Sequence, residues 1–178
     1  MENQVKYGKE ARQGLLRGID KLADAVVSTL GPNGRNVVIF RGHNEAPQST
    51  KDGVTVAKSF LTSDPEEHLG QLLLRQAAMR TADKAGDGTT TSTLLAREMI
   101  KNGLSALDNG ENAVKIKRDI DKTVNLVISN LSNSIAEDIS GENQLEQIAT
   151  ISSNNDEETG KLIAQAIDKV GLEGVVHI

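Results

Sequence analysis

A short glycine turn at residues 86–88 leads directly into a segment in which apolar residues recur at helical spacing. Gly86 and Gly88 can adopt positive φ angles and let a ligand approach the backbone closely. Three threonines occupy residues 89–91, where the first N–H groups of a helix have no partner within the helix and a hydroxyl can cap them. The stretch therefore predicts a glycine turn that feeds a helix N-terminus.

The acidic residue in this turn has two interpretations. A helix N-terminus attracts anions, and phosphate above all. Asp87 would repel a bare phosphate, so in a phosphate site its carboxylate is expected to hold a divalent cation that the phosphates also bind. In the alternative, the stretch is an ordinary helix start in which Asp87 stabilises the helix dipole. It is not a Walker A loop, because no Lys follows the turn.

The composition excludes several classes of function. Hydrophobic residues make up 37% of the 178 residues and charged residues 25%, which is typical of a globular chain. Aromatic residues make up only 2%, so the core must be aliphatic and a base-stacking platform is not expected. The net charge of −5 gives no basic surface for a nucleic acid. The absence of Cys excludes disulfides, and the absence of a long apolar run predicts no membrane span and a cytoplasmic protein.

The apolar periodicity predicts a mainly α-helical fold with one β-hairpin. Helices are predicted at about residues 9–28, 54–59, 64–84, 89–107, 111–133, 144–151 and 156–170. Strands are predicted at residues 36–40 and 48–51, as a hairpin that projects from the helical body, and at residues 175–178. A lone two-stranded hairpin is marginal, so it is expected to pair within a sheet or with a neighbouring subunit.

The helix at residues 111–133 carries apolar residues three or four positions apart, which predicts a stripe buried in the core. The polar segment at residues 134–143 is expected to be a linker or hinge.

Three turns between helices lie at residues 29–32, 51–53 and 86–91, and antiparallel helices would bring them to one end of the bundle. There the Gly31 backbone and the N–H groups of residues 89–91 can surround phosphate oxygens. Lys51 can neutralise their charge, Asp87 can hold Mg²⁺, and Asp52 can orient water. Each turn alone has a structural explanation; together they favour a phosphate site.

Three motifs resemble those of the group I chaperonins, the GroEL family. They are TLGPNGRNVV at residues 29–38, TKDGVTVA at residues 50–57 and AGDGTTT at residues 85–91. The segments KRDIDK at residues 117–122 and TISSNNDE at residues 150–157 are similar in order and spacing. The resemblance extends over nearly all of the chain.

The resemblance implies a chaperonin equatorial-domain-like helical bundle with a projecting hairpin, followed by a partial α/β intermediate domain. Residues 1–134 correspond to the first part of the equatorial ATP-binding domain, and residues 135–178 to the first part of the intermediate domain. The apical domain and the C-terminal returning segments have no counterpart here. The principal catalytic aspartate belongs to those segments, so weak or no ATP turnover is expected, with Asp52 as an auxiliary catalytic carboxylate.

The resemblance also implies the ligands ATP, Mg²⁺ and K⁺. Nucleotide contacts are implied for Thr29, Leu30, Gly31, Pro32, Lys51, Asp87, Gly88, Thr89, Thr90 and Thr91. The implied ligand of Mg²⁺ is Asp87, and K⁺ is implied to touch Thr29, Lys51 and Thr90.

Family members form stacked seven-membered rings that refold non-native proteins with a co-chaperonin. Unfolded substrates and the co-chaperonin would bind through the apical domain. Helix faces built for missing partners would be exposed, so we expect this chain to be poorly stable or to associate. Two alternatives stay open: a non-catalytic protein that docks on a full-length chaperonin ring through its hairpin, and a helical remnant without activity.

Overall fold

A computed structural model describes residues 5–43, 45–139, 141–171 and 174–175. The described residues form seven α-helices and one antiparallel β-hairpin, which confirms the predicted mainly helical fold. The elements are α1 (Gly8–Val27), β1 (Val37–Ile39), β2 (Gln48–Thr50), α2 (Gly53–Ser59), α3 (Pro65–Ala85), α4 (Thr89–Asp108), α5 (Ala113–Asn130), α6 (Glu142–Ser152) and α7 (Glu157–Val170). Most of the strand predicted at residues 175–178 lies outside the described residues. None of the described helices is both long and apolar enough to cross a membrane.

The chain divides into two compact units, residues 1–123 and 124–178. The first contains α1 to α4, the hairpin and most of α5, and the second contains α6 and α7. A π-helical turn, Leu131–Ile135, follows α5 at the start of the predicted linker. The assignment of residues 1–134 and 135–178 to two chaperonin domains stays a prediction.

The core of the first unit is built from aliphatic side chains, as the composition predicts. Helices α1, α3 and α4 pack on one another, and the short helix α2 packs against all three. The buried residues of this core are Ile19, Leu22, Ala23, Val26, Val56, Ala57, Leu74 and Ala78. The core therefore holds the C-terminal half of α1 against α2 and the middle of α3.

Helices α1 and α3 approach each other through glycines. A Cβ atom at Gly18 would lie 1.9 Å from the carbonyl oxygen of Glu67, and one at Gly70 would lie 2.0 Å from that of Leu15. At both positions a side chain of one helix would overlap the backbone of the other. Gly14 and Gly18 therefore belong to the buried face of α1 and are not interruptions of its apolar stripe.

An aspartate caps the first turn of α3. The Asp64 carboxylate accepts hydrogen bonds from the backbone N–H groups of Glu67 at 3.1 Å and Glu66 at 2.9 Å, and Pro65 is the first helical residue. These hydrogen bonds lower the pKa of Asp64, and the one from the Glu67 N–H group has the largest effect. The start predicted for this helix, at about residue 64, is confirmed, and an N-cap aspartate followed by proline is a favourable helix start.

Glu67 is a buried acid at the α1–α3 contact. Its carboxylate accepts hydrogen bonds from the Lys21 ammonium at 2.7 Å and from the Thr62 hydroxyl at 3.0 Å. The hydrogen bond from Lys21 is the main reason why the pKa of Glu67 lies below its ordinary value. A charged partner therefore compensates for the burial of this carboxylate.

The prediction of a buried stripe on α5 is wrong for this chain. None of the α5 side chains is buried, and Val127 is 50% exposed and Ile128 53% exposed. The periodicity identified an apolar face correctly, but within the described ranges that face is only partly covered: Ile116 lies near Gly103 of α4, whereas the end that contains Val127 is exposed.

In the second unit, α6 and α7 pack against each other through small residues. Ala149 of α6 and Ala164 of α7 are buried, and a Cβ atom at Gly160 would lie 2.2 Å from the Thr150 hydroxyl oxygen. The two helices therefore pack closely at this point.

Replacement of Gly18 tests the close helix contact. We expect Gly18→Ala to lower the free energy of unfolding by about 2 kcal/mol, because the new methyl group overlaps backbone that cannot rotate away. Chemical denaturation measures the change. Gly103→Ala is the matched control, since a Cβ atom there meets only a methyl carbon of Ile116, at 3.8 Å. Equal stability of Gly18→Ala and the unaltered chain would contradict the contact.

Replacement of Lys21 tests the buried carboxylate. The pKa of Glu67 is lowered by folding, so its contribution to stability is present above its unfolded value, near 4.5, and is lost as pH falls through the lower folded value. Lys21→Met should raise the pKa of Glu67 and move this loss of stability to higher pH, which melting curves across pH 3–7 would measure. Lys117→Met is the control, because Lys117 pairs with Asp121 on the exposed surface of α5. Superimposable pH profiles for Lys21→Met and the unaltered chain would refute the assignment.

Sedimentation of the purified chain tests the exposed face of α5. We expect association that increases with concentration, because contiguous exposed apolar surface tends to be buried between molecules. Val127→Lys should weaken the association, whereas Asn125→Lys adds the same charge to an exposed polar position of α5 and should not. A monodisperse monomer with a cooperative melt would contradict the expectation.

Candidate functional site

The turn after α1 is folded back on the end of that helix. The Thr29 hydroxyl donates to the carbonyl oxygen of Val26 at 2.7 Å, and Thr29 is only 8% exposed. Gly31 has a φ of 71°, and its carbonyl accepts from the N–H group of Gly34 at 2.9 Å. The glycine makes the reversal possible, and the reversal fixes the position of the Thr29 hydroxyl.

Asp52 caps the N-terminus of α2. Its carboxylate accepts from the N–H groups of Val54 at 3.2 Å and Thr55 at 2.9 Å, and from the Thr55 hydroxyl. Lys51 precedes this cap and is exposed, and within the described ranges its ammonium group forms no ion pair. The turn therefore presents a positive charge next to a satisfied helix end.

Among the described residues no side chain caps the N-terminus of α4, in contrast to that of α2, so the capping expected from the threonines at residues 89–91 is not observed. Its N-cap residue is Gly88, with a φ of 81°, and the N–H group of Ser92 makes the first intrahelical bond, 2.9 Å from the Gly88 carbonyl oxygen. The N–H groups of residues 89–91 precede that bond and have no partner within the helix. The exposed Asp87 carboxylate accepts from the N–H group of Gly88 at 2.6 Å. This helix end can therefore still donate hydrogen bonds to an anion.

The three turns meet at one place in the first unit. The hydroxyl oxygens of Thr29 and Thr90 are 3.3 Å apart. A Cβ atom at Gly53 would lie 2.5 Å from the Thr90 hydroxyl oxygen, so the start of α2 touches the start of α4. The structure thus brings together the ends of α1, α2 and α4 as the sequence predicted. Leu30 and Pro32 lie on the exposed side of their turn, and Leu30 is 40% exposed.

The donor set suits a magnesium polyphosphate better than a bare metal ion. Among the described residues, no three His, Cys, Asp or Glu side chains are grouped so that they could hold a metal. Asp87 alone would supply one carboxylate, and Mg²⁺ commonly completes its shell with phosphate oxygens and water. The adjacent hydroxyl oxygens of Thr29 and Thr90 offer ligands suitable for a monovalent cation. The donors present therefore fit a polyphosphate with a divalent cation, together with a monovalent cation, whereas binding of ATP, Mg²⁺ and K⁺ by this chain stays a prediction.

Sequence reasoning missed two structural roles in the turn at residues 51–53. Asp52 with Thr55 three positions later is a helix N-cap pattern, so the capping role was readable from the sequence. Gly53 is buried as the first residue of α2, and its close approach to Thr90 depends on tertiary packing that no local pattern reveals.

Solved structures with the same architecture include the chaperonin gp146 from the bacteriophage EL 2 (Pseudomonas aeruginosa), in the presence of ATP-BeFx. In one crystal form the identity is 32% and the TM-score 0.76, over 96% of this chain and 30% of the phage chain. In another the identity is 33% and the TM-score 0.74, over 92% of this chain and 29% of the phage chain. The chain thus spans about a third of that chaperonin's length or less.

A group III chaperonin in the open state is similar in fold, with 22% identity and a TM-score of 0.72, over 90% of this chain and 32% of that chain. The model of the TCP-1/cpn60 chaperonin family matches residues 22–174, which include all three turns of the site. This chain therefore belongs to the TCP-1/cpn60 chaperonin family.

Proposed function

We propose that the chain binds Mg-ATP where α1, α2 and α4 meet, as part of a chaperonin of the group I type. The main support for the proposal is that the hydroxyl oxygens of Thr29 and Thr90 lie 3.3 Å apart. The uncapped start of α4 therefore lies next to the turn after α1. Mg-ATP supplies a negatively charged polyphosphate, which suits a helix N-terminus. The phage relative was crystallised in the presence of ATP-BeFx, which is consistent with this ligand.

Each part of the site has a distinct role in the proposal. The N–H groups of residues 89–91 donate to phosphate oxygens, and the Lys51 ammonium neutralises their charge. The turn at residues 29–32 lies against the nucleotide through its backbone. Asp87 holds Mg²⁺, and K⁺ is bound by Thr29, Lys51 and Thr90.

Turnover of ATP by this chain alone is proposed to be weak or absent. Asp52 is the carboxylate available to orient water, but its two oxygens already cap α2. The Oδ2 atom accepts two hydrogen bonds from Thr55, whereas Oδ1 accepts one, from the Val54 N–H group. Oδ1 therefore keeps a second acceptor site with which Asp52 can hold a water molecule. Asp52 is therefore an auxiliary catalytic residue in the proposal.

The wider activity is that of an ATP-driven chaperonin that helps non-native proteins to fold. The chain spans 30% of the phage chaperonin, so ring formation, folding substrates and a co-chaperonin are proposed for a complete subunit rather than for these residues. A cytoplasmic location also stays a proposal.

A second function is supported by the hairpin. Strands β1 and β2 pair only with each other within the described residues, and Val38 is 65% and Phe40 64% exposed. A hairpin of two strands is only marginally stable alone, and its unpaired edges readily pair with another strand. In this proposal the chain docks on a full-length chaperonin ring through residues 37–51 and needs no catalysis of its own.

Calorimetry tests the nucleotide site. The chain should bind Mg-ATP, and Asp87→Ala should weaken binding at least about tenfold, which corresponds to about 1.4 kcal/mol, because Mg²⁺ loses its only protein carboxylate. Asp83→Ala is the matched control: Asp83 is an exposed acid near the end of α3, and its loss should leave the affinity unchanged. Equal affinities of Asp87→Ala and the unaltered chain would exclude the magnesium role of Asp87.

Co-purification with a full-length group I chaperonin tests the hairpin. We expect capture of the ring subunit, and loss of capture when Phe40 is changed to Asp, because a charge would then lie on the exposed hairpin. Leu61→Asp introduces the same charge at an apolar residue outside the hairpin that is 72% exposed, and it should not reduce capture. Capture that survives Phe40→Asp would rule out docking through this surface.

A further inference from the structure

Gly53 is buried where the ends of three helices meet. A Cβ atom there would lie 2.5 Å from the Thr90 hydroxyl oxygen, 3.1 Å from that of Thr89 and 3.3 Å from a methyl carbon of Val26. Gly53 is helical and does not have a positive φ, so its backbone conformation is open to any residue. Proximity to the two threonines is therefore what requires glycine at this position.

The first turn of α4 cannot move freely to make room for a side chain. The carbonyl oxygen of Thr89 accepts hydrogen bonds from the hydroxyls of Ser92 at 3.0 Å and of Thr93 at 2.7 Å. Thr93 is fully buried. The two hydrogen bonds stiffen the first turn of α4, and the buried Thr93 places that turn against the core.

Rotation of the Thr90 side chain could relieve its overlap with a Cβ atom at Gly53, but it would disturb another contact of the same hydroxyl. Threonine has few rotamers in a helix, and any rotation that removes the hydroxyl from Gly53 also changes its 3.3 Å contact with Thr29. Without rotation, the backbone of α2 and α4 would have to separate by about 1 Å to restore an ordinary contact. Either response alters the arrangement of the threonine hydroxyls.

We propose that Gly53 is a positioning residue for the nucleotide site. The absence of a side chain sets the distance at which the hydroxyls of Thr89 and Thr90 lie from α2 and from Thr29. The positions of these hydroxyls and of the adjoining N–H groups in turn set the affinity for the magnesium polyphosphate. The identity of the ligand rests on the proposed function, whereas the positioning rests on the contacts of Gly53 alone.

Gly53→Ala tests the proposal with two measurements on the whole chain. In a crystal structure of the variant, the Thr29 and Thr90 hydroxyl oxygens should lie farther apart than the present 3.3 Å. Calorimetry should show Mg-ATP binding weakened at least about tenfold, because a displacement of about 1 Å misaligns several donors together. An unchanged threonine distance, or an unchanged affinity beside a binding unaltered chain, would overturn the proposal.

Two glycine variants separate positioning from a general loss of stability. Gly18→Ala overlaps the backbone of Glu67, outside the site, and should lower the melting temperature while the folded protein keeps its affinity. Gly103→Ala, which lies inside α4 and meets Ile116 at an ordinary distance, should keep the affinity and should not lower the melting temperature. If Gly53→Ala lowers affinity only in step with the folded fraction, or does not fold, Gly53 is structural and the proposal is wrong.

The same experiments distinguish this proposal from the proposed function. If the unaltered chain does not bind Mg-ATP, the proposed function is contradicted for this chain and the effect on affinity is overturned with it. The threonine distance in the two crystal structures then decides alone whether Gly53 positions the hydroxyls.

Discussion

Backbone contact between α1 and α3 is the constraint on which the first unit depends. Gly18 and Gly70 allow each helix to approach a carbonyl oxygen of the other. With so few aromatic residues the core has no large side chains to fill wide gaps, so close helix packing is the way to bury aliphatic surface. The Arg97–Asp24 ion pair, at 2.7 Å, joins the C-terminal end of α1 to α4.

The functional site results from this packing, because its parts are helix ends. The starts of α2 and α4 differ in their caps. The Asp52 carboxylate accepts hydrogen bonds from the first N–H groups of α2, whereas the N-cap of α4 is Gly88, which has no side chain. The free N–H groups that could bind an anion are therefore those at the start of α4, next to the exposed Asp87. The three turns of the candidate site all lie within residues 1–123, so their arrangement is internal to one compact unit.

Short sequence patterns predicted the features that depend on residues close together in the sequence, such as helix starts and turns. The start of α3 was predicted within one residue, and the scarcity of aromatic residues predicted an aliphatic core. The hairpin and the order of the helices also followed from periodicity and turn residues. The convergence of three turns was predicted because antiparallel helices bring alternate connections to the same end.

Features that depend on tertiary contact could not be predicted in the same way. The sequence around Gly18 does not show that a neighbouring backbone requires glycine there, because the contact is with Glu67, far away in the sequence. The stripe containing Val127 has the period of a core face, but periodicity does not reveal whether another element covers it. Gly53 was assigned to a turn from its neighbours in the sequence. Its contact with Thr90 could not be predicted in that way, because the two residues are far apart in the sequence.

Amide chemical shifts recorded while Mg-ATP is added report directly on the proposed nucleotide site. We expect specific, saturable shifts at the N–H groups of residues 89–91, together with Gly31 and Lys51, because the proposed site places these groups around the polyphosphate. Shifts confined to other parts of the chain, or no shifts at millimolar ligand, would contradict a nucleotide site formed by the ends of α1, α2 and α4.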